Sequence, residues 1–156
     1  PAHVARHLSW HIGQLGIDPS EGPALPEVVK AFAERSDTLQ EMAGAAKFLY
    51  REFEEYDQKA ASKHLSAAAE APLQAVSRAL SALTEWRAGS IHAAVNQVAE
   101  ENGLALGKVA QPLRVAVAGT AVSPPIDITL ELLGRRRTQA RIERALDFIA
   151  GRPGPR

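Results

Sequence analysis

Apolar residues recur every three or four positions along almost the whole chain, and no stretch alternates with period two over a strand's length. That pattern predicts an all-α fold. Val4, Leu8, Ile12 and Leu15 make the first stripe, which Gly16 and the turn-forming Asp18-Pro19 should end. Pro26 then stands where a first helical residue tolerates proline, because its amide would have no intrahelical partner, and Leu25, Val28, Val29 and Phe32 supply a buried face. Ser36-Asp37-Thr38 offers capping oxygens, with Gln40 and Glu41 spaced for a capping box, ahead of a helix carrying Leu39, Met42, Ala46 and Leu49.

The stretch from Tyr50 to Asp57 breaks the periodicity and reads as a connection. The lobe boundary is expected near residues 58 to 66, giving two small helical lobes in series, 1–62 and 63–150. In the second, Leu73, Val76, Leu80 and Leu83 predict a long alanine-rich helix whose seam Trp86 extends, and its small residues allow close packing. Gly89-Ser90 should cap the next helix, which carries Ile91, Ala94, Val95 and Val98, and Asn102-Gly103 has the left-handed tolerance of a helix exit. A helix from about Lys108 to Val117, a turn through Gly119 to Pro125, a short helix ending at Gly134 and a terminal helix complete the lobe. The terminal helix should bury Ile142, Ala145, Leu146 and Ile149 and point its arginines outward. Residues 151–156 have no apolar anchor and are expected to form a disordered tail.

Charge changes this picture only locally. Lysine plus arginine number 18 and aspartate plus glutamate also 18, so no global excess points to nucleic acid, a membrane or an acidic partner. From Lys108 onward, however, nine basic residues face four acidic ones, which makes that end net +5 and the first 107 residues net −5. A basic end on a neutral chain is compatible with a phosphate-facing surface and equally with a solvated helix face. With no cysteine, disulfides and thiolate metal sites are excluded. His7 and His11 lie four apart but lack an evident third ligand, so no metal is expected. No apolar run approaches the ~20 residues of a membrane span and the start lacks a signal-peptide pattern, so a cytoplasmic location is expected. Pro1 in place of methionine suggests that the sequence begins inside a longer chain.

One stretch is more specific than periodicity: Leu106-Gly107-Lys108-Val109-Ala110-Gln111-Pro112-Leu113-Arg114-Val115-Ala116-Val117-Ala118-Gly119. Proline inside a helical pattern, flanked by glutamine and arginine, is an unusual local choice. The stretch closely resembles the signature of the C-terminal anticodon-binding region of bacterial glutamyl-tRNA synthetases. The resemblance continues through Ser123-Pro124-Pro125-Ile126 and through Leu132-Leu133-Gly134-Arg135 into the arginine-rich last helix. Upstream, Glu34-Arg35-Ser36-Asp37-Thr38-Leu39 and Lys47-Phe48-Leu49-Tyr50 are similar to segments of that region's first lobe, so nearly the whole chain is covered.

The resemblance implies the helical anticodon-binding fold of class I synthetases, with stem-contact and anticodon-binding roles for the first lobe and anticodon binding for the second. It implies a parent enzyme that attaches glutamate to glutamate tRNA, using ATP and Mg in a Rossmann-type domain. This stretch should be inactive alone, without a cofactor of its own. The implied partners are the anticodon loop and stem of glutamate tRNA and the catalytic domain of the same chain, with no DNA and no membrane. His11-Ile12-Gly13-Gln14 mimics half of the class I His-Ile-Gly-His signature, yet Ile12 belongs to the apolar stripe. No glycine-rich phosphate loop follows a strand.

In the family, an arginine at the position of Arg35 contacts the third anticodon base. Arginine has five donors and no acceptor. Cytosine presents two acceptors, O2 and N3, whereas guanine presents N–H donors, and glutamate and glutamine anticodons differ there as cytosine against guanine. Arg35 facing guanine would leave donors unpaired at roughly 1–3 kcal/mol each. By the same matching, Gln111, Arg114, Ser123 and Ile126 surround the first anticodon base, with Ser123 offering polar groups to a base edge and Ile126 an apolar wall. Lys108, Arg135, Arg136, Arg137 and Arg141 are candidates for phosphate contacts, which position RNA without reading it. Trp10, Trp86, Phe48 and Tyr50 are expected in the core, although each could stack on a base. The competing readings are a helical protein-interaction module built on the alanine-rich lobe and a DNA-binding domain using the last helix. Salt dependence separates apolar docking from nucleic-acid binding.

Overall fold

In the computed structural model, which describes residues 2–33 and 38–151, every regular element among those residues is helical. The chain divides into two units, Pro1–Phe53 and Glu54–Arg156, so the division falls ahead of the 58–66 connection expected from periodicity.

The first unit holds α1 (Ala2–Gln14), α2 (Leu25–Phe32) and α3 (Leu39–Ala46), the last continued by a 3-10 turn over Lys47–Leu49. Leu8, Ile12, Val28, Phe32, Met42 and Leu49 fill its core. Leu15, expected on the first stripe, is 40% exposed. The chain reverses at Gly16, whose φ of 74° lies in the left-handed region, and this turns Ile17 inward instead. Trp10 is also a correction, since it stands 62% exposed on the face of α1 away from Leu8 and Ile12. Pro26 occupies the first turn of α2 as its missing amide hydrogen allows. Thr38 Oγ1 accepts from the Glu41 amide at 3.1 Å, so Thr38 is the cap of α3, while Ser36 and Asp37 lie outside the described residues. Ile12 is 1% exposed inside α1, which makes His11-Ile12-Gly13-Gln14 a piece of core-facing helix.

Tyr50 closes this unit. Its hydroxyl donates to Pro23 O at 2.9 Å, and burial pushes its pKa up to about 12. Gly22 permits that packing, because a Cβ there would run into the Tyr50 ring and lie 2.8 Å from Leu49 O.

In the second unit, α4 (Gln58–His64), a 3-10 turn (Ala67–Ala69), α5 (Glu70–Ser81), α6 (Ala88–Glu101), α7 (Leu106–Ala118), α8 (Ile126–Leu133) and α9 (Arg135–Ile149) follow in order. Helix α7 is the central element: Val109, Leu113, Val115, Ala116 and Val117 are fully buried, and it packs against α4, α5, α6, α8 and α9. Helix α4 belongs here because it packs on α7 and because the Asp57 amide donates to Gly119 O at 2.8 Å.

Two expected helix ends move for tertiary reasons. Helix α5 stops at Ser81, short of Trp86, and the indole Nε1 of Trp86 donates to Leu130 O at 2.8 Å from a half-buried turn. Gly89-Ser90 does not cap α6. They lie inside its first turn, and Glu131 of α8 caps it by accepting from the Ala88 amide at 2.7 Å. The Asn102-Gly103 exit is as expected, with Gly103 at φ 64°.

Candidate nucleic-acid interface

Helix α7 carries Pro112 as its seventh residue, so one amide is missing from the ladder and the Lys108 carbonyl loses its i+4 donor. The helix stays continuous because Pro112 and its neighbours are buried among surrounding helices. Gln111 and Arg114, three apart, emerge half-exposed on either side of the proline. The Gln111 Oε1 atom is buried without a hydrogen-bond partner. Such an acceptor costs roughly 1–3 kcal/mol until a donor reaches it.

Past the left-handed Gly119, at φ 79°, the chain returns beside α7 through Thr120–Pro125. This brings Ser123 to Arg114, and Arg114 Nε donates to Ser123 Oγ at 2.8 Å. The Ser123 hydroxyl donates to Pro124 O at 2.8 Å, and Thr129 Oγ1 lies 3.3 Å from it and 3.0 Å from the same carbonyl. Ser123 is 5% exposed and Thr129 0%. With its one proton on Pro124 O, Ser123 presents lone pairs inward to Arg114 and Thr129. It therefore fixes the orientation of the guanidinium. Thr129 was not legible as part of the site, since nothing in the sequence shows that α8 turns this residue under the Ser-Pro turn. Ile126, at the start of α8, is 7% exposed. The structure thus joins Arg114 to Ser123, with Gln111 one helical turn earlier on α7. Arg35 lies outside the described residues.

The phosphate candidates separate sharply. Arg141 is 1% exposed and donates through Nη1 to Val117 O at 2.6 Å, so it is a core brace and presents no surface to a phosphate. The sequence pattern missed this because arginine is fully buried only when its donors are paired. Arg135 donates to Leu80 O at 3.3 Å and to Leu83 O at 2.6 Å, with its guanidinium 5.2 Å from the Trp86 ring centre. It holds the C-terminal end of α5, a position the helix dipole favours. Arg137 is half-buried, whereas Lys108 and Arg136 are exposed. Arg144 donates to Glu54 O at 2.7 Å and covers Tyr56, whose hydroxyl is pushed up by burial and drawn back by the charges of Arg144 and Arg141.

Among the described residues no three metal-ligating side chains converge, and no helix is long and apolar enough to cross a membrane. The helical arrangement is that of solved synthetases. It superposes on a glutamate tRNA ligase from Elizabethkingia meningosepticum with a TM-score of 0.83, at 24% identity over 95% of this chain and 29% of that one. The glutamate-tRNA synthetase of Elizabethkingia anophelis gives 0.76 at 24% identity, covering 94% and 28% of the two chains. These likenesses establish the all-α fold that this chain shares with them. Residues 3–146 match the family described as "Anticodon binding domain", and the chain belongs to that family. It is 53% identical over 149 residues to "Glutamate--tRNA ligase 1" of Nitrosococcus oceani, which covers 96% of this chain and 32% of the relative. The chain therefore spans about a third of the length of that curated relative.

Proposed function

We propose that this chain reads the anticodon loop of glutamate tRNA on behalf of a glutamate–tRNA ligase, whose catalytic domain attaches glutamate with ATP and Mg in the same cytoplasmic polypeptide. The observation that carries the reading is the clasp on α7, where Ser123 fixes Arg114 one helical turn from the Gln111 side chain, whose Oε1 has no hydrogen-bond partner. An unstacked loop base needs such a rigid, half-exposed set of donors and acceptors beside an apolar wall. In this site Arg114 and Gln111 contact the first anticodon base, Ile126 limits its depth, and Ser123 with Thr129 holds Arg114 in place. Lys108, Arg136 and Arg137 face the phosphates. Arg35 reads the third base, accepting cytosine through O2 and N3 and rejecting guanine, which presents N–H donors where the arginine fork points.

Titration with anticodon stem-loops that differ only at the third base tests the assignment. Wild type is expected to bind the cytosine form roughly ten- to a hundredfold more tightly than the guanine form, and Arg35→Gln to lose that preference. Equal binding of the two loops by wild type would rule the third-base reading out.

A further inference from the structure

Trp10 is the largest apolar side chain that the folded chain leaves in water, at 62% exposed, and neither the core nor the anticodon-loop reading uses it. Exposed Arg6 lies four residues before it, and exposed Gly13 and Gln14 three and four residues after it, so all four share one side of α1. The His11 ring meets the indole edge-to-face, with centroids 4.8 Å apart and planes at 87°, and props it outward. A Cβ on Gly13 would meet nothing within 4 Å, so this glycine weakens the helix relative to alanine without serving a contact inside the chain. An aromatic knob beside a small residue is a surface that a second protein element can approach closely, and tryptophan is among the residues that dominate binding once desolvated. RNA is the poorer fit. The unit Pro1–Phe53 holds five basic residues against seven acidic ones, and Arg6 is the one full charge among the described residues of α1.

We propose that the α1 face formed by Arg6, Trp10, Gly13 and Gln14 is the seat on which the remainder of the parent ligase polypeptide docks, with Trp10 as its anchor. The chain spans 32% of the length of its 53%-identical relative, so most of a polypeptide of that kind lies outside it and is at hand to cover the face. Tethering makes such docking intramolecular, and one aromatic anchor with a small polar rim then suffices where a free partner would need a larger patch. The assignment rests on the proposed origin of this chain in a longer glutamate–tRNA ligase.

The test compares this 156-residue chain with the full-length ligase, both labelled with fluorotryptophan. It reads the Trp10 fluorine resonance, assigned by its loss in Trp10→Phe, against a soluble gadolinium chelate. In the isolated chain the resonance should broaden as that of an exposed ring, whereas in the ligase its broadening should fall roughly fivefold or more, since anchor aromatics are desolvated in their pockets. Gly13→Arg, which sets a long charged side chain in open space beside the ring, should leave thermal unfolding of the chain unchanged and restore the broadening in the ligase. Equal broadening in chain and ligase, with the cytosine preference of the stem-loops intact, would overturn the docking seat and leave the anticodon reading standing. Loss of that preference with Trp10 still protected in the ligase would overturn the anticodon reading and support the seat. Protection of Trp10 in the isolated chain, on adding a stem-loop or on self-association, would give the face to RNA or to a second copy and overturn the proposal.

Discussion

Helices α7 and α9 carry the same kind of side chain to opposite ends. In α9, Arg135 and Arg141 turn their donors onto backbone carbonyls of Leu80, Leu83 and Val117, knitting three segments of the second unit together. In α7, Arg114 is half-exposed and held through Nε by a hydroxyl that is itself anchored from beneath. Two arginines of the arginine-rich helix are thus architecture, whereas the arginine-poor one keeps its single guanidinium half-exposed, as the proposed recognition role requires. What separates them is where the nearest acceptors lie. Carbonyls at the ends of α5 and α7 surround the start and middle of α9, and a bare helix C-terminus is a strong sink for guanidinium donors. Local arginine density is therefore a poor guide to how many guanidinium groups face solvent in this unit.

Arg141→Ala would break the comparison most sharply. It should cost about 3 kcal/mol or more, because it opens a cavity and strands the Val117 carbonyl, and a lowered urea midpoint at constant m-value will show it. Arg114→Ala should do the reverse, raising the Kd for the stem-loop roughly ten- to a hundredfold while changing stability by less than about 1 kcal/mol. If both variants lose stability alike, the division between brace and reader fails. Arg135→Ala should cost about 1–2 kcal/mol through its two carbonyls and the Trp86 contact, with near-wild-type affinity for RNA at matched folded fraction. Arg136→Gln should give the smallest effect: stability within about 0.5 kcal/mol of wild type and a salt slope reduced by about 0.7.

Most helices were legible, since each apolar stripe needed only its own residues to declare itself. Helix α4 was not: residues 58–66 read as a boundary, and Gln58–His64 form a helix that packs on α7. Pro26, Thr38, Gly103 and Gly119 marked helix ends through properties of a single residue or its near neighbours. Ends fixed from a distance were not legible. Glu131 caps α6 from 43 residues away, and Arg135 fastens the end of α5 across a gap of more than fifty. The same divide runs through the site. Gln111 and Arg114 are proposed from a local signature, whereas the Thr129 hydroxyl beside Ser123 depends on a neighbour that only folding supplies.

By itself, then, the sequence determined the helical class, the order of the helices other than α4 and the α7 stretch that resembles this family's signature, because periodicity, capping and a proline in a helix are short-range effects. Tertiary structure alone decided which arginines meet water and which meet carbonyls. A guanidinium reaches the nearest acceptor in space, and spacing along the chain does not say which acceptor that is.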